Sequence, residues 1–414
     1  MRRWAIILGL VWLTLTGLAV GMRTRGWSKS DTPSEHSRAH IGANALLDTL
    51  AAPALGTTYV LGSYDMLKTR WGTALVYGAG YAVPCVAVLG LVGLHRRLRR
   101  RRPSGEQDGP ADPSRRRLLV DSAAAGAGLV MLSTPVYAAA IEPNTIAVRR
   151  YRIPIRGLPA SLDGLRIVQI SDTHLGPRVH ESHIARAVRI ALDEKPDLVA
   201  LTGDYVHNGP GPIDRAAELL APLVDAPGVI GVVGVLGNHD WYADGPRMRG
   251  ALRAIGVRMI DNDRVFLDAS SRSLTASPPV NPSDALCFAG LGDLLTHTVE
   301  PEAAFAGVDP DTARVLLAHV PDTLELDSVR SPGGPRIDLA LCGHTHGGQI
   351  RVPLLGTPGV PSQYGQRYAG GLIDPAVSAI RAPTIVSRGI GVSIVPVRFG
   401  VPSEVVVVEL TKAS

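Results

Sequence analysis

The chain has 414 residues, of which 45% are hydrophobic and only 19% are charged, and its mean hydropathy is +0.14. This apolar content excludes a chain that is disordered throughout, and a positive mean hydropathy predicts membrane-spanning segments. The length is sufficient for one large domain with added elements, or for two domains.

The net charge of +5 is unevenly distributed. Residues 1–117 contain 17 Lys and Arg against 7 Asp and Glu, whereas residues 118–414 contain 25 basic and 30 acidic side chains. A net negative second part argues against a nucleic-acid-binding domain there. Three cysteines are too few for a disulfide framework. Cys287 and Cys342 lie in apolar runs, so we expect two buried thiols, with a disulfide between them as the alternative.

Three apolar stretches within residues 1–140 are candidate membrane spans. Residues 4–22 and 73–94 contain no charged side chain, and residues 118–140 contain one, Asp121. Crossing the hydrocarbon core of a bilayer takes about 20 apolar residues, so each stretch is long enough. The sequence therefore predicts a membrane region at 1–140, followed by a second domain at 141–414.

Arginine clusters predict how these spans are oriented. Arg2 and Arg3 precede the first span, and the linker 95–117 carries basic runs at 95–102 and 115–117. The positive-inside rule assigns all three clusters to the cytoplasm, where the linker would contact anionic membrane lipids. We therefore predict a multi-pass protein of the cell membrane whose C-terminal domain is extracytoplasmic.

Two features of this region allow another interpretation. Residues 43–61 could form a fourth span, but Asp48 and Pro53 favour a peripheral or re-entrant helix. Residues 114–120 resemble a twin-arginine export signal, which would be cleaved after Ala138. The alternative is that these arginines only anchor the third span. Both interpretations of the arginines export the same domain.

Beyond residue 140 the pattern changes to apolar, β-rich runs alternating with helical stretches. The predicted helices are 180–192 and 213–223, and the Ser- and Pro-rich segment 269–284 is predicted to be a loop. This alternation is typical of an α/β domain with a partly parallel sheet. The predicted strands are 165–170, 197–201, 229–236, 315–318, 337–341 and 404–410.

Polar motifs follow five of these predicted strands at the point where each strand ends. Because the carboxyl ends of parallel strands meet on one side of a sheet, we expect the motifs to converge. Taken singly, each motif has a structural explanation such as a helix N-cap or a turn, but five in succession indicate one site. The motifs are Asp172-Thr173-His174, Gly203-Asp204, Gly237-Asn238-His239-Asp240, His319 and Gly343-His344-Thr345-His346.

The side chains of these motifs form a mixed nitrogen and oxygen ligand set. Such a set suits Mn²⁺, Fe or Zn²⁺. It is wrong for a soft-metal site, which needs thiolates, and for Mg²⁺ or Ca²⁺, which prefers oxygen ligands alone. Seven ligands exceed what one such ion usually takes from a protein, which favours two divalent ions sharing one carboxylate. Two ions about 3.5–4 Å apart can hold the attacking and leaving oxygens of a phosphoryl group. The candidate ligands are Asp172, His174, Asp204, Asn238, His319, His344 and His346.

The order of the five motifs resembles that of the calcineurin-like metallophosphoesterases over residues 160–410. The sequences GHTHGGQIRVP, from Gly343, and SRGIGVSIVPVRFGVPSEV, from Ser387, are similar to the membrane-associated YkuE-like branch. The resemblance implies a four-layer α/β/β/α sandwich, here preceded by N-terminal transmembrane helices.

The resemblance also implies a role for each site residue. Asp204 would bridge two metal ions, and a hydroxide between the ions would be the nucleophile. His239 would not be a ligand but would contact the phosphate and protonate the leaving oxygen, with Asp240 orienting it. The first ion would be held by Asp172, His174 and His346, and the second by Asn238, His319 and His344.

The segment after Asp204 departs from two related groups. Serine/threonine protein phosphatases carry Gly-Asp-x-x-Asp-Arg-Gly, whereas residues 203–209 are GDYVHNG. Purple acid phosphatases place a tyrosine where this chain has His207, so neither group is favoured. We interpret His207 as a solvated loop histidine, with a role behind the metal ligands as the alternative. His180, His183 and His297 are likewise expected to be solvated.

We therefore predict a membrane-tethered, metal-dependent phosphoric ester hydrolase that acts on phosphomono- or phosphodiesters. One alternative is a hydrolase of phospholipids or lipid-linked sugar phosphates at the membrane surface. Another is a non-catalytic metal-binding membrane sensor, which would not need an acid such as His239. The predicted partners are the phosphate ester and membrane lipids, without nucleic acid, and the sequence indicates no oligomeric state.

Overall fold

The computed structural model describes residues 133–134, 136–352, 356–393 and 395–413, and residues Tyr137–Ser414 form one compact unit. The predicted spans 4–22 and 73–94, the linker 95–117 and most of 118–140 lie outside the described residues. Within the described part, no helix combines the length and the apolar character that crossing a membrane requires.

Two mixed β-sheets and four α-helices make up the described domain. The helices are α1 (Glu181–Asp193), α2 (Ile213–Asp225), α3 (Asn238–Ala254) and α4 (Pro301–Ala304). The strands are β1 (Ile146–Ile155), β2 (Arg166–Ile170), β3 (Leu198–Thr202), β4 (Gly231–Val235), β5 (Arg258–Met259), β6 (Asp263–Asp268), β7 (Ser273–Thr275), β8 (Ala285–Gly290), β9 (Ala313–Ala318), β10 (Leu339–Cys342), β11 (Gly371–Ile373), β12 (Thr384–Val386) and β13 (Ser403–Lys412).

The first sheet has the order β1-β13-β2-β3-β4-β5, and the second has the order β11-β12-β10-β9-β8-β6-β7. Strands β2 to β5 are parallel to one another, as are β8, β9, β10 and β12. Strand β13 runs antiparallel to β2, and β6 runs antiparallel to β8. The expected α/β domain with a partly parallel sheet is confirmed, and each of the six predicted strands overlaps an observed one.

The two sheets share one apolar core. Alternate residues of a strand point to opposite faces of its sheet. In β2, Val168 packs with the cluster that includes helices α1, α2 and α3, whereas Ile167 packs with residues of the second sheet. In β9, Leu317 belongs to the core between the sheets and Leu316 to the outer cluster. The outer face of the second sheet is covered by α4 and irregular segments among the described residues.

Two details differ from the sequence-based expectations. The segment 269–284 is not entirely loop, because Ser273–Thr275 pairs antiparallel with β6 at the edge of the second sheet. Cys287 and Cys342 are free and buried, as expected. Burial raises the pKa of the Cys287 thiol to about 12, which is consistent with core residues rather than reactive thiols.

Candidate metal centre

The loops that follow five parallel strands meet on one side of the two sheets. Backbone hydrogen bonds join them: Asp172 N donates to Gly203 O at 2.9 Å, and His174 N donates to Asp204 O at 3.0 Å. In the second sheet, Gly343 N donates to His319 O at 2.9 Å. Two bonds to side chains complete the convergence of the five motifs: His344 N donates to Oδ1 of Asp172 at 3.0 Å, and His239 N donates to Oδ1 of Asp204 at 2.8 Å.

One group of side chains consists of Asp172, His174 and His346, all of which are buried. The Nε2 atoms of the two histidines lie 2.9 Å apart. Oδ1 of Asp172 lies 3.3 Å from Nε2 of His346 and 3.9 Å from Nε2 of His174. Three potential ligand atoms therefore converge on one point.

A second group consists of Asp204, His319 and His344. Oδ2 of Asp204 lies 3.2 Å from Nε2 of His319 and 3.4 Å from Nε2 of His174, which belongs to the first group. One carboxylate oxygen thus faces both groups. This is the arrangement that a bridging carboxylate requires.

Hydrogen bonds in the site orient two imidazole rings and leave one amide oxygen unpartnered. His319 directs Nδ1 at the carbonyl of Thr202, at 2.7 Å, and His344 hydrogen-bonds the carbonyl of Pro361. In metal sites such bonds fix the ring orientation and leave the other nitrogen free for the ion. Oδ1 of Asn238 is buried without a hydrogen-bond partner, whereas Nε2 of His319 faces the carboxylate of Asp204 at 3.2 Å. Buried groups of this kind are costly unless something outside the protein satisfies them.

The backbone is strained at the site. Non-glycine residues seldom adopt positive φ, which costs about 1–3 kcal/mol each and is concentrated at functional sites. Five of the seven candidate ligands have φ between 46° and 68°, namely Asp172, His174, Asp204, His344 and His346. These five residues all follow the ends of β2, β3 and β10, so the unusual conformation is concentrated where the ligand groups meet.

Burial and mutual charge shift the titration of the site. Burial lowers the pKa values of His174 and His346, and lowers that of His344 to about 3, so these imidazoles are neutral and can act as ligands. Burial also raises the pKa of Asp172 to about 7. Burial would raise the pKa of Asp204 too, but His319 and His174 outweigh it and lower the pKa.

The geometry of the candidate ligands fits divalent ions. Two ligand atoms each about 2.1 Å from one ion and at right angles to each other are about 3.0 Å apart. Four of the distances between potential ligand atoms, within and between the two groups, are 2.9–3.4 Å. Together with the unpartnered Oδ1 of Asn238, these distances are those expected of two adjoining coordination shells.

His239 lies beside this centre, but Asp240 does not orient it as expected. Nδ1 of His239 faces the carbonyl oxygen of His207 at 2.5 Å. The carboxylate of Asp240 instead accepts backbone N–H bonds from Asp204, Tyr205 and Gly237 at 2.8–2.9 Å. A carboxylate can satisfy several such donors at once, so Asp240 fixes the loop that carries Asp204 rather than the imidazole.

Two histidines that we expected to be solvated are buried. His207 is 8% exposed and its ring lies 5.5 Å from that of His174, because the loop after β3 pairs with the loop after β2 through Leu175. His183 is 9% exposed, and its Nε2 lies 3.0 Å from the carbonyl of Ile390. His180 is exposed, as predicted, whereas His297 is partly covered by its stack on Trp241.

The sequence reasoning assigned no site role to the segment that starts at Ser387. Ile390 N and Gly391 N donate to the carbonyls of Ser171 and Asp172 at 3.0 and 2.7 Å. The fully buried Arg398 donates to four carbonyls of the same segment and lies 3.4 Å from Nδ1 of His346. Its glycines were the available signal, because glycine permits the backbone to approach a site closely.

The calcineurin-like phosphoesterase family model matches residues 165–348, from β2 to the loop that carries His346. This chain contains a calcineurin-like phosphoesterase domain. It is 28% identical over 275 residues to the uncharacterized metallophosphoesterase YkuE of Bacillus subtilis, covering 66% of this chain and 88% of YkuE. The resemblance to the YkuE-like branch is confirmed.

Two further relatives bear on membrane association and on activity. A transmembrane protein with metallophosphoesterase domain from Danio rerio is 31% identical over 241 residues, covering 56% of this chain and 49% of the relative. The chain therefore spans about half the length of that protein. Phosphodiesterase YaeI of Escherichia coli is 29% identical over 302 residues, covering 72% of this chain and 99% of YaeI.

Proposed function

We propose that the chain hydrolyses phosphate esters, with phosphodiesters as the leading substrate class, using two divalent metal ions held by the candidate metal centre. The observation that carries this proposal is the position of Asp204 Oδ2, which lies 3.4 Å from His174 and 3.2 Å from His319. The name of the relative YaeI, a phosphodiesterase, supports diesters over monoesters.

Each metal ligand keeps the role that the family resemblance implies. Bound ions would neutralise charge on the phosphoryl oxygens and make a nucleophile available at neutral pH. The mixed nitrogen and oxygen set suits Mn²⁺, Fe or Zn²⁺. Asp172, His174 and His346 would hold the first ion, Asn238, His319 and His344 the second, and Asp204 both.

His239 is the proposed general acid. Its backbone N–H donates to Oδ1 of Asp204 at 2.8 Å, which fixes the start of α3 against the centre. Its Nδ1 faces the carbonyl of His207, so Nε2 is the atom left to give a proton to the leaving oxygen. A half-buried acid beside the ligands favours an enzyme over a non-catalytic sensor.

The remaining parts of the proposal concern the membrane. We propose that the predicted spans tether the domain outside the cytoplasm. Its substrate would be a phosphate ester in that same compartment. The relative from Danio rerio, named as a transmembrane protein, supports a membrane association. The proposed four-layer family fold is supported by the helices over the first sheet and α4 over the second.

The experiment measures hydrolysis by the purified full chain in detergent, after removal of metal with a chelator and reloading with Mn²⁺, Fe²⁺ or Zn²⁺. Aryl phosphodiesters of graded leaving-group pKa are compared with matched monoesters. Metal-dependent turnover of the diesters is expected. A chain that binds two ions per molecule but hydrolyses no ester with any of them would contradict the proposed activity.

The variant His239→Ala tests the acid role in the same series. It should keep its metal content and lose about 10²–10⁴-fold in kcat on esters with poor leaving groups, the usual worth of a general acid. The loss should shrink for nitrophenyl esters, because that oxygen needs little proton assistance. Equal losses across the series would instead assign His239 to charge stabilisation.

A further inference from the structure

His207 is tightly enclosed beside the proposed acid, although it belongs to neither ligand group that meets at Asp204. It is 8% exposed, its backbone N–H donates to Leu175 O at 3.1 Å, and its ring lies 5.5 Å from that of His174. A polar ring so fully enclosed, without an assigned role, requires an explanation.

Two contacts connect His207 directly to His239. The carbonyl oxygen of His207 lies 2.5 Å from Nδ1 of His239, close enough to accept its proton in a hydrogen bond. The two rings are nearly parallel, with an interplanar angle of 18° and centroids 5.3 Å apart, which is an offset stack. One residue therefore fixes both the direction and the plane of the His239 imidazole.

Arg178 fixes His207 in turn. Its Nη1 lies 3.2 Å from Nε2 of His207 and 2.8 Å from the carbonyl of Ser393. A guanidinium only donates hydrogen bonds, so Nε2 of His207 must be the acceptor. The proton of the neutral ring is then on Nδ1, which is buried and has no protein partner. The contact therefore selects one tautomer of His207.

We propose that His207, held by Arg178, is a positioning residue for His239 and directs its Nε2 at the leaving oxygen. This inference rests on the proposed function of the site. His207 touches neither the substrate nor the reacting atoms; it acts through the orientation of His239. In the sequence, His207 stands out because it lies three residues after Asp204. Serine/threonine protein phosphatases and purple acid phosphatases carry a different side chain at that position.

The kinetic test compares His207→Ala, which removes the ring, with His207→Phe, which keeps a flat ring that can stack. Metal content should stay at the wild-type value in both. In His207→Ala, kcat should fall about three- to tenfold on diesters with poor leaving groups, the size of a stacking interaction, and less on nitrophenyl esters. His207→Phe should recover most of that loss, which a general loss of structure would not allow.

The second measurement does not depend on turnover. Nitrogen NMR of the histidine-labelled full chain in detergent, with the His207 signal assigned from the His207→Phe spectrum, should show a protonated Nδ1 and an unprotonated Nε2. Arg178→Met should relax that preference. The opposite tautomer in the wild-type chain, or a His207→Ala loss that is equal for all leaving groups, would overturn the proposal.

A drop in the metal content of His207→Ala would also overturn it. One ring nitrogen from each of His174, His207 and His239 lies within 4.8 Å of the other two, so such a drop would make His207 a ligand instead. If the wild-type chain hydrolyses no ester, the proposed function fails on its own, whereas the tautomer and the metal content still report on His207.

Discussion

Replacing Gly389 by alanine tests how closely the segment after β12 approaches the candidate metal centre. A Cβ at position 389 would lie 2.6 Å from Cβ of Asp172 and 3.3 Å from Nδ1 of His346. Asp172 cannot move away freely, because its carbonyl accepts the 2.7 Å hydrogen bond from Gly391 N. We therefore expect the added methyl group to displace Asp172 and weaken the first metal site.

Two contributions set the expected loss of folding stability in Gly389→Ala. Gly389 has φ of +70°, a conformation that costs an L-residue roughly 1–2 kcal/mol. Overpacking a filled site costs about 1–3 kcal/mol more. The control Gly307→Ala has φ of +69° but meets nothing within 4 Å, so it should lose only the first contribution.

The assay is chemical unfolding of both variants in detergent, with metal content measured in parallel. Gly389→Ala should be less stable than Gly307→Ala by about 1–3 kcal/mol and should lose one of two ions. Equal stabilities, with two ions retained in both variants, would contradict a close approach of Gly389 to Asp172.

Two further predictions concern the substrate and the membrane. Tyr242 is 62% exposed and its ring lies 5.8 Å from that of His239, so Tyr242→Ala should raise KM for aryl diesters about two- to tenfold, the worth of a lost aromatic contact. Tyr242→Phe should not, and an unchanged KM in Tyr242→Ala would exclude a contact with the leaving group. A reporter enzyme active only outside the cytoplasm, fused after Ser414, should be active; fluorescence from a cytoplasm-only reporter at the same position would instead support four spans.

The sequence was informative for strands that are buried on both faces. Such strands have continuous apolar sequences. That pattern predicted six of the observed strands, namely β2, β3, β4, β9, β10 and β13. Strands such as β5 and β7 have only two or three residues, so they carry no pattern of their own. Their positions follow from pairing with β4 and β6, which so few residues do not encode.

The candidate ligands could be predicted because metal chemistry depends on residue type and on position at a strand end. The surroundings of the ligands could not be predicted in the same way. Asp240 accepts N–H bonds from a loop 36 residues earlier, and His207 is enclosed through pairing with Leu175. These contacts exist only once the loops after β2, β3 and β4 are assembled, and a single sequence does not reveal them.

Metal content in the wild-type chain and in two ligand variants shows whether Asp204 bridges two metal ions. We expect two ions per wild-type chain by elemental analysis, and loss of both ions in Asp204→Ala, because one carboxylate oxygen faces both ligand groups. His174→Ala should lose mainly one ion. Two ions retained in Asp204→Ala, or fewer than two in the wild-type chain after metal loading, would contradict a dinuclear centre bridged by Asp204.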